Sequence, residues 1–176
     1  EAILARGLQV EMWLETRADF LDKPLVELMK RAGVSMVAMG LESASPRVFP
    51  DLDKNLRPET IREAVRLALV SGLDVELFSQ YALPNEEPAD AMATLQFVKD
   101  CGVKIQGNSN AQQMQLYFGS AIIRNPEKHG IRPMRTDLPP YLALGDEFET
   151  DWMSRADMDQ IRAAWSAASV DGGKRI

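Results

Sequence analysis

The sequence predicts an α/β protein built on a parallel sheet, and three observations carry that prediction. An amphipathic segment, a glycine and a strand-like stretch follow one another three times. The closing glycines, Gly33, Gly72 and Gly102, are spaced as βα units are. Residues 34–39 are apolar at nearly every position, as a strand buried on both faces is.

The elements follow in order. Residues 8–14 read as a first strand. Asp22 is placed to cap a helix with Pro24 in its first turn and Leu25, Leu28, Met29 and Ala32 as its apolar stripe. A second helix opens at Pro58 and gathers Ile61, Ala64, Val65 and Ala68 on one side; the alternating residues 73–78 follow it. A third opens near Pro88 with Ala91, Leu95 and Val98, and a weaker strand begins at Ala111. Residues 124–150, with Pro126, Pro133, Pro139 and Pro140, read as an irregular excursion, its acidic end (145–151) as a solvated loop. A last helix starts at Ser154, with Asp157 completing a capping box and Met158, Ile161 and Trp165 facing inward. Residues 171–176 read as a frayed end. Strand order alone leaves a barrel and an open doubly wound sheet equally possible.

The 176 residues, 45% hydrophobic and 26% charged, have the composition of an ordinary globular protein. A net charge of −6 argues against general attraction to nucleic-acid phosphates, and no apolar run is long enough for a membrane span. With one cysteine, Cys101, the chain builds neither a disulfide framework nor a multi-cysteine metal site; a reducing cytoplasm is the default compartment. Cys101 reads as a small buried apolar residue, His129 as a helix-end residue facing carbonyls, and Trp13, Trp152 and Trp165 as packing residues.

Parallel strands end on one rim, and ligands of α/β folds bind there. Polar clusters fall at each expected strand end: residues 15–19, 40–45, 79–86 and 117–120. Carboxylates there suit ribose hydroxyls or an ammonium, while Arg17 or Lys54 suits a carboxylate. Each cluster has a plainer reading: an ion-pair ladder for Glu15, Arg17 and Asp19, a serine-capped turn at 43–45, and a tight turn at 82–85.

Read in order, these segments resemble the radical S-adenosylmethionine (SAM) superfamily, and most of all its members with a cobalamin-binding domain. The likeness lies in residues 15–19 (Glu-Thr-Arg-Ala-Asp), 28–34, 39–47 (Met-Gly-Leu-Glu-Ser-Ala-Ser-Pro-Arg), 52–55, 78–86, 94–97, 117–122 and 125–131. Ala82 and Asn85 stand where the family carries glycines, and Phe118 where it carries proline.

The resemblance implies a partial TIM-type (β/α) barrel: about four parallel βα units of a six-unit domain over residues 1–131, then an irregular extension and C-terminal helix over 132–176. It implies that Glu15 meets the SAM ribose, that Glu42 and Ser43 meet its ribose or methionine part, that Lys54 lies near its carboxylate, and that Gln80 walls the adenine; Arg17 is carried over with them. It further implies a [4Fe–4S] cluster, whose CxxxCxxC ligands are not in this chain, and cobalamin in a fuller protein. The chemistry implied is 5′-deoxyadenosyl-radical or cobalamin-dependent methyl transfer on a small-molecule substrate. The expected partners are the other half of the barrel and a cobalamin domain, and the expected solution behaviour is self-association through an open strand edge. Two rivals stay open: an unrelated (β/α)-barrel enzyme of phosphorylated metabolites, against which the lack of a glycine-rich phosphate loop speaks, and a non-catalytic barrel fragment.

Overall fold

A computed structural model describes residues 1–52, 56–106, 111–117, 119–133 and 147–170. Four strands, β1 (Met12–Thr16), β2 (Val34–Glu42), β3 (Asp74–Tyr81) and β4 (Ala111–Gln113), form one sheet in the order β1-β2-β3-β4, every pair parallel. A short helix α1 (Ala2–Ala5) precedes it; α2 (Lys23–Arg31), α3 (Pro58–Val70) and α4 (Pro88–Asp100) are the crossovers. The fold is therefore the parallel βα arrangement of a partial TIM-type barrel.

Each crossover begins and ends for a local reason. The Asp22 side chain accepts from Leu25 N at 2.8 Å, Pro58 and Pro88 occupy first turns, and α4 closes a capping box between Glu87 and Asp90. At the end of α2, Gly33 takes φ +94° and a side chain there would lie 1.9 Å from the Val10 carbonyl oxygen, so only glycine fits. The predicted inward faces of α3 and α4 are buried as expected, with Thr94 added. On α2 the fully buried residue is Val26, one position off the predicted stripe.

The first strand departs from expectation. It starts at Met12 rather than residue 8, and Leu8 and Val10 are exposed. Alternation of apolar and polar residues set the expected start, but Met12 N is the first amide here to bond the neighbouring strand region, to Gly33 O.

The sheet has two unlike faces. Against the helices lie Val37, Met39, Leu41, Val75 and Leu77, packed with Ile61, Val65, Ala68, Leu95 and Val98. Each such aliphatic side chain contributes about 1.5–3 kcal/mol of burial. The opposite face carries Trp13 and Glu15, then Ala38 and Gly40, then Phe78 and Gln80. Small residues in the middle strand leave room for Trp13 and Phe78 to meet edge to face, centroids 6.3 Å apart. Trp13 is thus not a core residue, whereas Trp165 is.

The described residues of the expected irregular excursion and the segment leading into it form regular elements. Helix α5 (Ala121–Arg124) leads into the excursion, followed by a 3₁₀ turn over Pro126–His129 and the antiparallel pair β5 (Ile131–Pro133) and β6 (Phe148–Thr150). Phe148 and Thr150 are buried, so the acidic stretch read as a solvated loop supplies a strand. The boundary expected at 131/132 falls inside β5. Helix α6 (Arg155–Ala168) opens with the predicted Ser154–Asp157 capping box and packs on α4 and β4. Among the described residues no helix is long and apolar enough to cross a membrane.

Candidate functional site

The helix-free face of the sheet carries two adjoining hollows. One, of about 560 Å³, is lined by Glu15, Thr16, Arg17, Phe20, Ala38, Gly40, Glu42 and Phe78. The other, of about 350 Å³, is lined by Glu42, Phe78, Ser79, Gln80, Gln112, Gln113, Gln115 and Tyr117. Glu42 and Phe78 line both. Parallel pairing causes this: Glu15 registers with Ala38, and Ala38 with Glu76, so like-facing residues of successive strands share one side.

Glu42 reaches this position through an unusual backbone. The β2–β3 register shifts between Gly40 and Glu42, and Glu42 has φ 60°. Ser43 N donates to Leu41 O at 2.9 Å, which makes Glu42 the centre of a γ-turn of the rarer, left-handed kind. A non-glycine residue held there costs on the order of 1 kcal/mol or more, and such strain gathers at functional sites.

The next residues are stapled to α4. Ser43 Oγ lies 3.3 Å from Thr94 Oγ1, which also accepts from Ala44 N at 3.0 Å. Ser45 Oγ donates to Asp90 at 2.6 Å, and Arg47 bridges Asp90 and Glu87. Burial pushes the Asp90 carboxyl up, but hydrogen bonds from Arg47, Ser45 and the Glu87 amide outweigh it and hold the group below the ordinary carboxylate range.

The loop after β1 is built differently. Arg17 forks onto Asp19, Nε to Oδ1 and Nη2 to Oδ2, both at 3.0 Å, with its guanidinium 5.8 Å from the Phe20 ring centroid. This bond raises Arg17 further above its ordinary value and lowers Asp19.

Of the six residues expected to meet a ligand, Glu15, Arg17, Glu42 and Gln80 line the hollows. Ser43 does not. Its side chain is fully buried and bonded toward α4, so its part is to fix the turn beside Glu42. Lys54 lies outside the described residues. The sequence reading overlooked Phe20, Phe78 and the glutamines 112, 113 and 115; a stretch of three glutamines among Ala111, Met114 and Leu116 was the available signal. Gln113, buried, donates to Phe148 O and accepts from Arg155, both at 3.4 Å, which ties the C-terminal extension to the hollow.

Cys101 is single, half-buried at the C-cap of α4, and its thiol is pushed up by burial. Among the described residues no three of His, Cys, Asp and Glu are grouped to hold a metal ion. The residues described here therefore do not fit an iron–sulfur cluster as its ligands.

No family model matches the chain. In sequence it is similar to an uncharacterized methyltransferase of Pyrococcus horikoshii, 29% identical over 97 residues, 55% of this chain and 21% of that protein. In structure it is similar to the radical SAM methyltransferase TsrM of Kitasatospora setae, solved with cobalamin and a [4Fe–4S] cluster bound, at a TM-score of 0.64 and 14% identity over 86% of this chain and 36% of that one. It is also similar to coproporphyrinogen III oxidase (HemN) of Escherichia coli, a radical SAM enzyme, at a TM-score of 0.60 and 14% identity over 94% and 34%. The chain spans about a fifth of the length of the curated relatives it matches and about a third of these structures.

The fold and the polar face of its sheet thus define a partial (β/α) barrel of TIM type. More particularly, its fold is similar to the barrels of the radical SAM enzymes TsrM and HemN, so the resemblance read from the sequence extends to the fold.

Proposed function

We propose that this chain forms the SAM-facing part of a radical SAM enzyme's catalytic barrel and closes one side of its substrate cavity. The observation that supports this reading is Glu42: a carboxylate on a left-handed turn, shared by two adjoining hollows, with Glu15 in one and Gln80 in the other. On this reading the two carboxylates accept from the ribose hydroxyls and ammonium of SAM, Gln80 and Phe78 flank the base, and Arg17 turns a donor toward a carboxylate. SAM bound there supplies radical hydrogen abstraction or, where cobalamin is also present, methyl transfer. The role of these side chains is to bind and orient. Cluster ligands, cobalamin and much of the substrate's surroundings come from outside the residues described.

Calorimetric titration of the full chain with SAM tests the reading. The expected result is saturable binding that Glu42→Ala weakens about 10-fold or more, the worth of a hydrogen bond to a charged group. Saturable binding of a sugar phosphate with none of SAM would favour a different barrel enzyme.

A further inference from the structure

Glu86 follows the turn after β3, and its side chain is fully buried. One carboxyl oxygen, Oε2, accepts from Leu83 N at 3.1 Å. The other, Oε1, has no hydrogen-bond partner among the described residues; the Ala82 amide and the Ser43 hydroxyl lie beside the carboxyl. The charged group that faces it is Asp90 of α4, itself paired with Arg47 from the loop after β2. A carboxylate left unpaired in such a place is costly.

The chain of hydroxyls beside Glu86 offers a place for a proton on its carboxyl. Thr94 Oγ1 donates to Asp90 O at 3.1 Å, so its one proton is used. Thr94 Oγ1 and Ser43 Oγ lie 3.3 Å apart and either can donate; with the Thr94 proton on the Asp90 carbonyl, Ser43 is the donor. Ser43 Oγ also accepts from Ser45 N at 3.2 Å. That leaves Ser43 with no proton for Glu86 and one lone pair open toward it. In that arrangement Ser43 and Glu86 bond when Glu86 brings the proton.

We infer that Glu86 is a positioning residue that works as a neutral carboxylic acid, donating to Ser43 and so completing a one-way chain from Glu86 through Ser43 and Thr94 to the Asp90 carbonyl. The chain locks the loop after β3 against the loop after β2 and holds the turn in which Glu42 sits. Burial supports the neutral form, pushing the carboxyl up to about 8. The inference rests on the proposed SAM site only for its bearing on ligand binding; the acid itself is tested without SAM.

The sign of the pH effect follows from linkage. The folded state holds this proton up to about pH 8, whereas the unfolded chain releases it near 4.5. The contribution is full below the unfolded value and is lost as pH rises through that window. Glutamine has the shape of the neutral acid and can donate to Ser43 without titrating. In thermal melts of the full chain between pH 5 and 9, wild type should lose roughly 5 °C or more relative to Glu86→Gln as pH rises. Glu86→Ala should melt lower than Glu86→Gln throughout. Infrared spectra of wild type at pH 6 should show a protonated-carboxyl band that Glu86→Gln removes. A Glu86→Gln variant with the wild-type pH slope, or as unstable as Glu86→Ala, or no such band in the wild type, would overturn the inference. If the melts and the band behave as expected while SAM fails to bind at any pH, the neutral acid stands and the SAM reading alone falls.

Discussion

The ends of β1 and β2 bring Glu15 and Glu42 to the same hollow, yet the loops that follow them are held by different physics. Residues 43–47 are fixed by buried hydroxyls and backbone amides whose partners lie on α4. Residues 17–19 are fixed by an ion pair whose side chains are 48% and 35% exposed. Buried hydrogen bonds are costly to break because the abandoned partner cannot turn to water, whereas an exposed ion pair can. The β2 loop can therefore hold Glu42 in a strained turn, and the β1 loop can adjust to what it meets.

The largest effect expected from this difference is a split between stability and binding at Glu42. Glycine accepts φ 60° without the penalty a side chain incurs, so Glu42→Gly should stabilise the fold by about 0.5–1 kcal/mol while weakening SAM by an order of magnitude or more. Urea unfolding and calorimetry on the same preparation measure both. A destabilised Glu42→Gly would mean that the turn is not strained.

Next in size is Thr94→Val, which keeps the shape and removes the hydroxyl. Ala44 N and Ser43 Oγ lose their partner in a site where Thr94 is 1% exposed. A loss of about 2 kcal/mol in urea unfolding is expected. A loss below about 0.5 kcal/mol would show that the β2 loop is held by something other than this network.

The two loops also differ in how far the sequence announces them. The α/β alternation was legible because each crossover helix stops at a glycine and because residues 36–41 of the middle strand carry no polar side chain on either face. Glu15 and Arg17 were legible as rim residues, since charge after a strand rarely goes elsewhere. Ser43 was open to two readings, because a serine beside an acidic residue looks the same whether its hydroxyl faces a ligand or a neighbouring helix. Thr94 decides that, and it lies 51 residues away. Glu86 was read only as the last member of the polar cluster at 79–86, because nothing in the sequence marks that its side chain is buried. The start of β1 was misplaced because Leu8 and Val10 alternate like a strand without being paired.

The smallest expected effect is at Asp19, and it tests the comparison from the other side. The Arg17 hydrogen bonds hold the Asp19 carboxyl low, so its contribution is present above the ordinary aspartate range and is lost as pH falls through the depressed value. Asp19→Asn should therefore shift the urea midpoint slightly at pH 7 and low salt. The shift should vanish in about 0.5 M salt, where the screening length is shorter than the reach of an exposed charge, and as pH falls through the lowered value, where the wild-type group is itself neutral. A variant as unstable as Thr94→Val, with the loss unchanged by salt, would mean that the β1 loop is also held by desolvated bonds. Both carboxylates would then sit on rigid supports, and the hollow would have no adjustable side.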